Sequence, residues 1–189
     1  MPDYPNRNAA YYQDLHDRNA NYQNNNWLLD ELSNTLSFRA STVLELACGN
    51  GRYLELAAPH FKRVYGCDWA VSPRITEIMR KHPNVLFFPV DLYDAVPMCK
   101  AELVVSADFL EHIAPHALLN VIRRIDGLAH QQFHKIACYD DGNCHLSVMT
   151  PMQWLQVFHT INPIYVLERV DKRLGMANKE VAILSKGRL

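Results

Sequence analysis

The sequence has no long hydrophobic run. Nothing in it approaches the ~18 consecutive apolar residues that a membrane-spanning helix needs, so no membrane span is expected. The N-terminus lacks the basic-then-apolar layout of a signal peptide, and a cytoplasmic location is the expectation that follows. An excess of one charge is missing too. Nineteen basic against twenty acidic side chains leave a formal charge of -1. That excludes a broad basic surface for a phosphate backbone and leaves room only for a local patch. Internal repeats and low-complexity linkers are absent, so nothing forces a second compact domain. The five cysteines (Cys48, Cys67, Cys99, Cys138, Cys144) are odd in number and scattered, three of them in or beside predicted strands. They read as reduced, mostly buried thiols rather than a disulfide framework. No tight set of metal ligands is visible along the chain, and no metal is expected.

What is present is core. The 189 residues are 49% hydrophobic and 21% charged, with three Trp, seven Phe and nine Tyr. That is enough for one domain with a substantial interior, or at most two small ones, and it argues against disorder.

The chain is organised around Val43 to Tyr53. Val43-Leu44-Glu45-Leu46 is a short apolar run of the buried-strand kind, interrupted by one acid. Gly49 and Gly51 permit a tight turn and close approach of backbone to a ligand. A helical pattern resumes through Tyr53, Leu54, Leu56, Ala57 and Ala58. Strand, glycine turn and helix make a small-molecule cradle in doubly wound sheets. Asp68 ends the next apolar run, Val64 to Cys67, near the spacing of about 20 residues expected for an acid that binds a ribose diol.

Further strands are predicted at Val85–Phe88, Leu103–Val105 and His134–Tyr139, with a closing β-hairpin from Ile164–Arg169 and Glu180–Leu184. Gly175, Asn178 and Lys179 mark its turn, because the gap is short for a crossover helix. Ser72-Pro73 opens a helix with Ser as cap, Pro115 opens another, and Thr150-Pro151-Met152-Gln153 reads as a capping box. The prediction is five strand-helix units followed by a hairpin. Residues 1–40 form a separate N-terminal helical segment ahead of the domain at 41–189. In that segment a helix from Trp27 to Leu36, capped by Asn26, is expected to pack on the sheet edge or cover the carboxyl ends of its strands. The stretch before it carries Tyr4, Tyr11, Tyr12 and Tyr22 among asparagines. It is either a ragged terminus with a surface helix or a lid over a pocket.

These pieces, in this order, resemble a small class I S-adenosylmethionine-dependent methyltransferase. The resemblance covers Val43 to about Leu184. It implies an α/β fold: a three-layer, Rossmann-like, doubly wound sheet of seven mostly parallel strands with a C-terminal β-hairpin. It implies S-adenosyl-L-methionine as cofactor, held by Glu45, Ala47, Gly49, Gly51, Asp68, Trp69, Asp91, Leu92 and Ser106. Ala47 stands where the family's first motif glycine usually is. By the same resemblance Asp68 binds both ribose hydroxyls, Asp91 accepts from the adenine amino group, and Leu92 lies beside the ring. Ser106 would meet the methionine part, and Phe109-Leu110-Glu111-His112-Ile113 resembles a run found in members that act on small molecules. The residue types suit the task. Carboxylates accept from the diol and the adenine N–H, and backbone amides of a glycine turn hold a carboxylate.

The resemblance implies methyl transfer to an oxygen or nitrogen acceptor, with a small molecule as partner. An RNA or nucleotide acceptor, and a non-catalytic binding or partner protein of the same fold, are the alternatives. The Asn/Asp-Pro-Pro-aromatic run of base-amino methylases is not present after strand four, where Ser106-Ala107-Asp108-Phe109 stands, nor is the Pro-Cys pair of 5-methylcytosine enzymes. A nicotinamide-binding fingerprint would want Gly or Ala where Leu54 stands. On the acceptor side, Asp108, His112 and His145 are the candidates for orientation or proton removal. His145 is the first choice, with pinning of its loop as the other role open to it. His134 reads as structural, Asp140 and Asp141 as loop acids, and an Asp-rich loop with a histidine holding a divalent ion is a lesser alternative.

Overall fold

The structure is a computed structural model that describes residues 8–19, 21–173 and 176–188. Seven strands form one sheet: β1 (Thr42–Leu46), β2 (Arg63–Asp68), β3 (Val85–Pro89), β4 (Leu103–Ala107), β5 (Gln131–Ala137), β6 (Val166–Arg173) and β7 (Met176–Lys186). The order across it is β3-β2-β1-β4-β5-β7-β6. β1 to β5 run parallel, and β7 is antiparallel to both β5 and β6. This is the doubly wound α/β architecture with a terminal hairpin that the sequence predicts.

Parallel neighbours need crossovers, and helices α3 (Arg52–Ala57), α4 (Pro73–Lys81) and α5 (Pro115–Asp126) supply three of them. α6 (Pro151–His159) leads from β5 into the hairpin. The unit after β3 has no helix. Residues 90–102 run as turns from β3 to β4, with Pro97 within them, so there are four strand-helix units among the described residues rather than five.

The pleat sorts the apolar strand residues onto two faces. Val43, Val105 and Phe133 join Tyr53, Leu54, Ile75 and Ile78 of α3 and α4 on one face. Leu44, Leu46 and Val104 join Leu118, Val121, Ile122 and Ile125 of α5, with Trp154 and Phe158 of α6, on the other. Central strands covered on both faces must be near-continuously apolar, which is why β1 and β4 read as they do.

The N-terminal segment holds α1 (Ala9–Arg18) and, after a 3-10 turn at Leu29–Glu31, the short α2 (Leu32–Leu36). The expected single helix from Trp27 does not form. Asn26 Oδ1 does accept the Leu28 N–H at 2.8 Å, as an N-cap would, but the chain beyond it runs through a turn and the 3-10 stretch before α2 begins. The segment reaches the edge strand β6, where Arg169 meets Glu31 at 2.7 Å. It covers the α3 face, where the Tyr53 hydroxyl donates to Thr35 Oγ1 at 2.8 Å and Phe38 packs edge-on against Phe133.

Local signals fared unevenly. The capping box at Thr150 forms, with Gln153 N–H on Thr150 Oγ1 and Thr150 N–H on Gln153 Oε1. Ser72 precedes Pro73 as expected, but its buried hydroxyl makes no capping bond. β5 starts at Gln131 rather than His134. Gln132 hides in the core because its amide donates to Ile125 O at 2.7 Å and its carbonyl accepts from the Tyr165 hydroxyl at 2.7 Å. Asn178 and Lys179 lie inside β7, not in a turn. The β6–β7 ladder, which includes a Lys172–Glu180 ion pair at 2.7 Å, outweighs their turn preference. Gly175 and Tyr4 lie outside the described residues. All five cysteines are free, with Cys48 and Cys67 buried. No helix of the described residues is long and apolar enough to cross a membrane.

Glu31 ties the N-terminal segment to the sheet. Its buried carboxylate meets Lys135 Nζ of β5 at 2.8 Å, Arg169 Nη2 of β6 at 2.7 Å and Asn34 Nδ2 at 2.6 Å. Burial opposes ionisation there, but Lys135, Arg169 and Asn34 outweigh it and hold the carboxyl below its usual range. Glu31→Gln leaves two cations short of a counter-charge and should cost about 2–4 kcal/mol. Glu180→Gln, which breaks an exposed pair, should cost under about 1 kcal/mol. Urea midpoints at unchanged m-values measure both, and equal losses would remove this assignment.

Candidate functional site

The turn after β1 is built from left-handed residues. Ala47 has φ +52°, Gly49 +54° and Gly51 +76°. The conformation costs an alanine roughly 1–2 kcal/mol, so the surroundings must hold Ala47 in it. The two glycines do different work. A Cβ on Gly51 would stand 2.5 Å from Ile75 Cδ1, so Gly51 admits the packing of α3 on α4 and does not reach a ligand. A Cβ on Gly49 would stand 2.3 Å from Gln23 Oε1, on the open side of the turn.

Asp68, at the end of β2, clamps this turn. Its Oδ2 accepts the Gly49 N–H at 2.9 Å and its Oδ1 accepts the Ala70 N–H at 3.2 Å. Burial pushes its carboxyl up to about 6 although those amides pull the other way. Above it lies a cavity of about 390 Å³ at the carboxyl ends of β1 to β4. Ala47, Asp68, Trp69, Asp91 and Leu92 line it, all of them expected cofactor-binding residues. Asp94, three residues on, is exposed and takes no part in the lining. Tyr11, Tyr12, Leu15, Tyr22 and Gln23 form another wall, so the N-terminal segment does contribute to the cavity. Tyr12 sits 5.6 Å from Trp69, ring centre to ring centre. A second cavity of about 300 Å³ adjoins it, sharing Tyr22, Gln23, Ala47 and Asp108 and adding Gly49 and the run Asn24 to Trp27.

Three expected cofactor residues stand apart from both cavities: Gly51, packed against Ile75, together with Ser106 and Glu45. Ser106 turns its hydroxyl into the sheet, 2.9 Å from His134 Nδ1. Glu45 is buried beneath the turn. It does not receive the turn's backbone N–H; its Oε1 accepts from Asn26 Nδ2 at 2.6 Å, and its Oε2 has no partner among the described residues. Burial pushes its carboxyl up to about 8, against the Asn26 bond and with help from the nearby Asp68 charge. His134 is structural: it is wholly buried, bonds Gln132 as well as Ser106, and burial lowers it to about 3.

The three acceptor-side candidates do come together. Asp108 follows β4 with φ +53° and is partly exposed on the cavity wall. His112, in a 3-10 turn at Leu110–His112, lines the same wall. His145 stands behind it: the two rings are 5.0 Å apart and perpendicular, and His145 is buried and does not line the cavity. Asp141 orders the loop that carries His145, accepting N–H bonds from Asn143, Cys144 and His145. Those bonds hold its carboxyl far below its usual range despite burial. Asp140 only caps Gly142 N–H.

Glu111 is the residue that sequence reading passed over. It is fully buried between its neighbours' backbone, and its Oε1 accepts from the Ala137 N–H at 2.8 Å. Burial first, then the charge of Asp108, pushes its carboxyl up to about 8. Burial opposes protonation of His112, but Asp108, the Cys144 carbonyl and Glu111 together raise it well above its ordinary value. An acid inside an apolar turn directly after a strand was the available signal. One ligand atom from each of Asp108, Glu111, His112 and His145 lies within 4.8 Å of the others. No tight cluster shows in the sequence because His145 is distant along the chain.

The sequence matches no protein-family model, and no curated protein matches it by sequence. Solved structures match by shape. The N-methyltransferase NodS from Bradyrhizobium japonicum WM9, in complex with S-adenosyl-L-homocysteine, is 15% identical, with 93% of this chain and 98% of that one covered at a TM-score of 0.61. The 1,6-didemethyltoxoflavin-N1-methyltransferase of Burkholderia thailandensis is 14% identical over 99% of this chain and 93% of that one, at 0.67. An O-methyltransferase family protein of Burkholderia thailandensis is 18% identical over 96% of this chain and 61% of that one, at 0.64. At these identities the likeness shows a shared fold.

Glu45 makes stability depend on pH. Its folded pKa, about 8, lies above the 4.5 of an ordinary glutamate, so the folded state keeps a proton that the unfolded chain releases. Stability should therefore fall as pH rises from about 4.5 to about 8, by at most about 1.4 kcal/mol per pH unit for this group. Glu45→Gln retains the oxygen facing Asn26 and should flatten that fall. Thermal melts across the window test it, and a variant with the wild-type slope would count against the buried-acid reading.

Proposed function

We propose that this chain transfers a methyl group from S-adenosyl-L-methionine to an oxygen or nitrogen of a small molecule. The observation that carries the reading is the Asp68 carboxylate. It is buried, anchored only by backbone N–H groups, and lines a cavity at the carboxyl ends of parallel strands, where open α/β sheets bind ligands. Such a carboxylate keeps lone pairs for a ribose diol. Asp91 has one oxygen on the Tyr93 N–H at 2.9 Å and the other available to an adenine amino group. Trp69, Leu92 and the tyrosines of the N-terminal segment give aromatic and apolar walls suited to a purine. The cavity's volume, about 390 Å³, is within the range of small-molecule sites.

When bound, the cofactor supplies a methyl group activated by a sulfonium. The chain's own part is to hold donor and acceptor in line and exclude water, which is worth several kcal/mol of barrier, on the order of what positioning supplies elsewhere. Asp108 and His112 line the same cavity after β4 and are the groups available to orient an acceptor or take its proton. Residues 8–19 and 21–26 act in this reading as the lid over the site, with Tyr11, Tyr12 and Tyr22 as its inner surface.

Calorimetry with S-adenosylhomocysteine should give micromolar binding and a raised melting temperature. Asp68→Ala should weaken it by about 1.5–3 kcal/mol, the worth of charged hydrogen bonds to a buried partner. Asp91→Ala should weaken it too, whereas Asp94→Ala should not. Absence of binding to the wild-type protein overturns the reading.

A further inference from the structure

We propose that Asp108, Glu111, His112 and His145 form a binding site for a divalent transition-metal cation. A backbone carbonyl fixes the tautomer of each ring. His112 Nδ1 is 3.2 Å from the Cys144 carbonyl, and His145 Nδ1 is 2.6 Å from the Tyr139 carbonyl. A carbonyl oxygen only accepts, so both Nδ1 atoms bear hydrogen. An ion displaces the proton that the neighbouring acceptors favour on His112, and Nε2 of each ring then presents a lone pair to it.

Those lone pairs converge on acceptors. His112 Nε2 is 3.7 Å and His145 Nε2 is 3.9 Å from Asp108 Oδ1. Both separations exceed hydrogen-bond reach, so no proton joins the rings to the carboxylate. Glu111 adds a fourth oxygen within the same 4.8 Å group. Its Oε1 is held by Ala137 N–H, and its Oε2 is buried with no partner among the described residues. Four electron-pair donors facing one another, one of them on a wholly buried acid, are stabilised by a central positive charge.

The surroundings match what metal sites require. A ligating histidine usually gives its other N–H to a carbonyl or carboxylate, which fixes the ring. Both rings here do so. Asp141 orders the His145 loop through three backbone N–H bonds, so the ligand positions are set before any ion arrives. Bonds of about 2.0–2.2 Å put neighbouring ligand atoms roughly 3–3.5 Å apart, so the Asp108–histidine separations need to close by under about 1 Å and the widest pair of the group by under about 2 Å. Two imidazoles with two carboxylates favour Mn²⁺, Co²⁺ or Zn²⁺ over Ca²⁺ or Mg²⁺, which prefer all-oxygen sets. Asp108 and His112 line the cavity, so an oxygen of a bound molecule can reach the ion. That last step alone rests on the methyl-transfer reading; the site itself does not.

The full chain is stripped with chelator and titrated with Co²⁺, read by visible absorption, and with Mn²⁺, read by electron paramagnetic resonance. One ion should bind per chain. Asp108→Asn and Glu111→Gln should each weaken binding at least about tenfold. His116→Ala, at an exposed histidine, should leave it unchanged. Asp108 is partly exposed and Asn tolerates its left-handed backbone, so that variant stays informative if Glu111→Gln unfolds. Failure of the wild type to bind either ion at millimolar concentration, or equal binding by wild type and Asp108→Asn, overturns the site. S-adenosylhomocysteine binding to the same stripped protein is scored separately, so loss of this inference and loss of the functional reading are told apart.

Discussion

One carboxylate holds the site together. Asp68 takes the Gly49 N–H at 2.9 Å and thereby fixes the turn after β1 against the end of β2. The turn runs through three left-handed residues, one of them an alanine that resists the conformation. Without an acceptor in that position the buried Gly49 N–H would be left unpaired. With it, the chain can leave β1, turn, and enter α3 while Gly51 lets α3 close on Ile75 of α4. The floor of the cavity and the packing of one whole helical layer therefore rest on the same few atoms.

That arrangement was the most legible part of the chain. Its signals are local: an apolar run, glycines, an acid at the end of the next run. The sheet and hairpin were legible for a similar reason, since continuous apolar strands and alternating ones differ in composition. What was hidden depended on partners far away in sequence. Gln132 looks like a loop residue until Ile125 and Tyr165 satisfy its amide. Asn26 looks like a helix cap, yet its side chain serves a turn and Glu45 at once. Ser106 stands at the expected strand end but spends its hydroxyl on His134. The position of His145 behind His112, rather than on the cavity wall, follows from the Tyr139 carbonyl that holds its ring. None of these bonds has a sequence pattern of its own.

The burial of acids shows where the fold spends stability. Glu31 is buried as well, and Lys135, Arg169 and Asn34 outweigh that burial and hold its carboxyl below the usual range. Glu45, Asp68 and Glu111 receive no such cations. Burial raises all three, and Glu45 and Glu111 each keep an oxygen without a partner among the described residues. The contrast is within a single chain, so a general tolerance of buried charge does not explain it. The compensated acid fastens the N-terminal segment to the sheet. The uncompensated ones all sit at or beside the carboxyl ends of β1, β2 and β4, around the turn and the cavity. Perturbed carboxyls gathered at one end of a parallel sheet are a feature of working sites. A group of acids selected for stability alone would be exchanged for apolar residues of similar size, often with little loss or some gain. Three buried acids without a cation are therefore a cost in stability, and it falls at one end of the sheet.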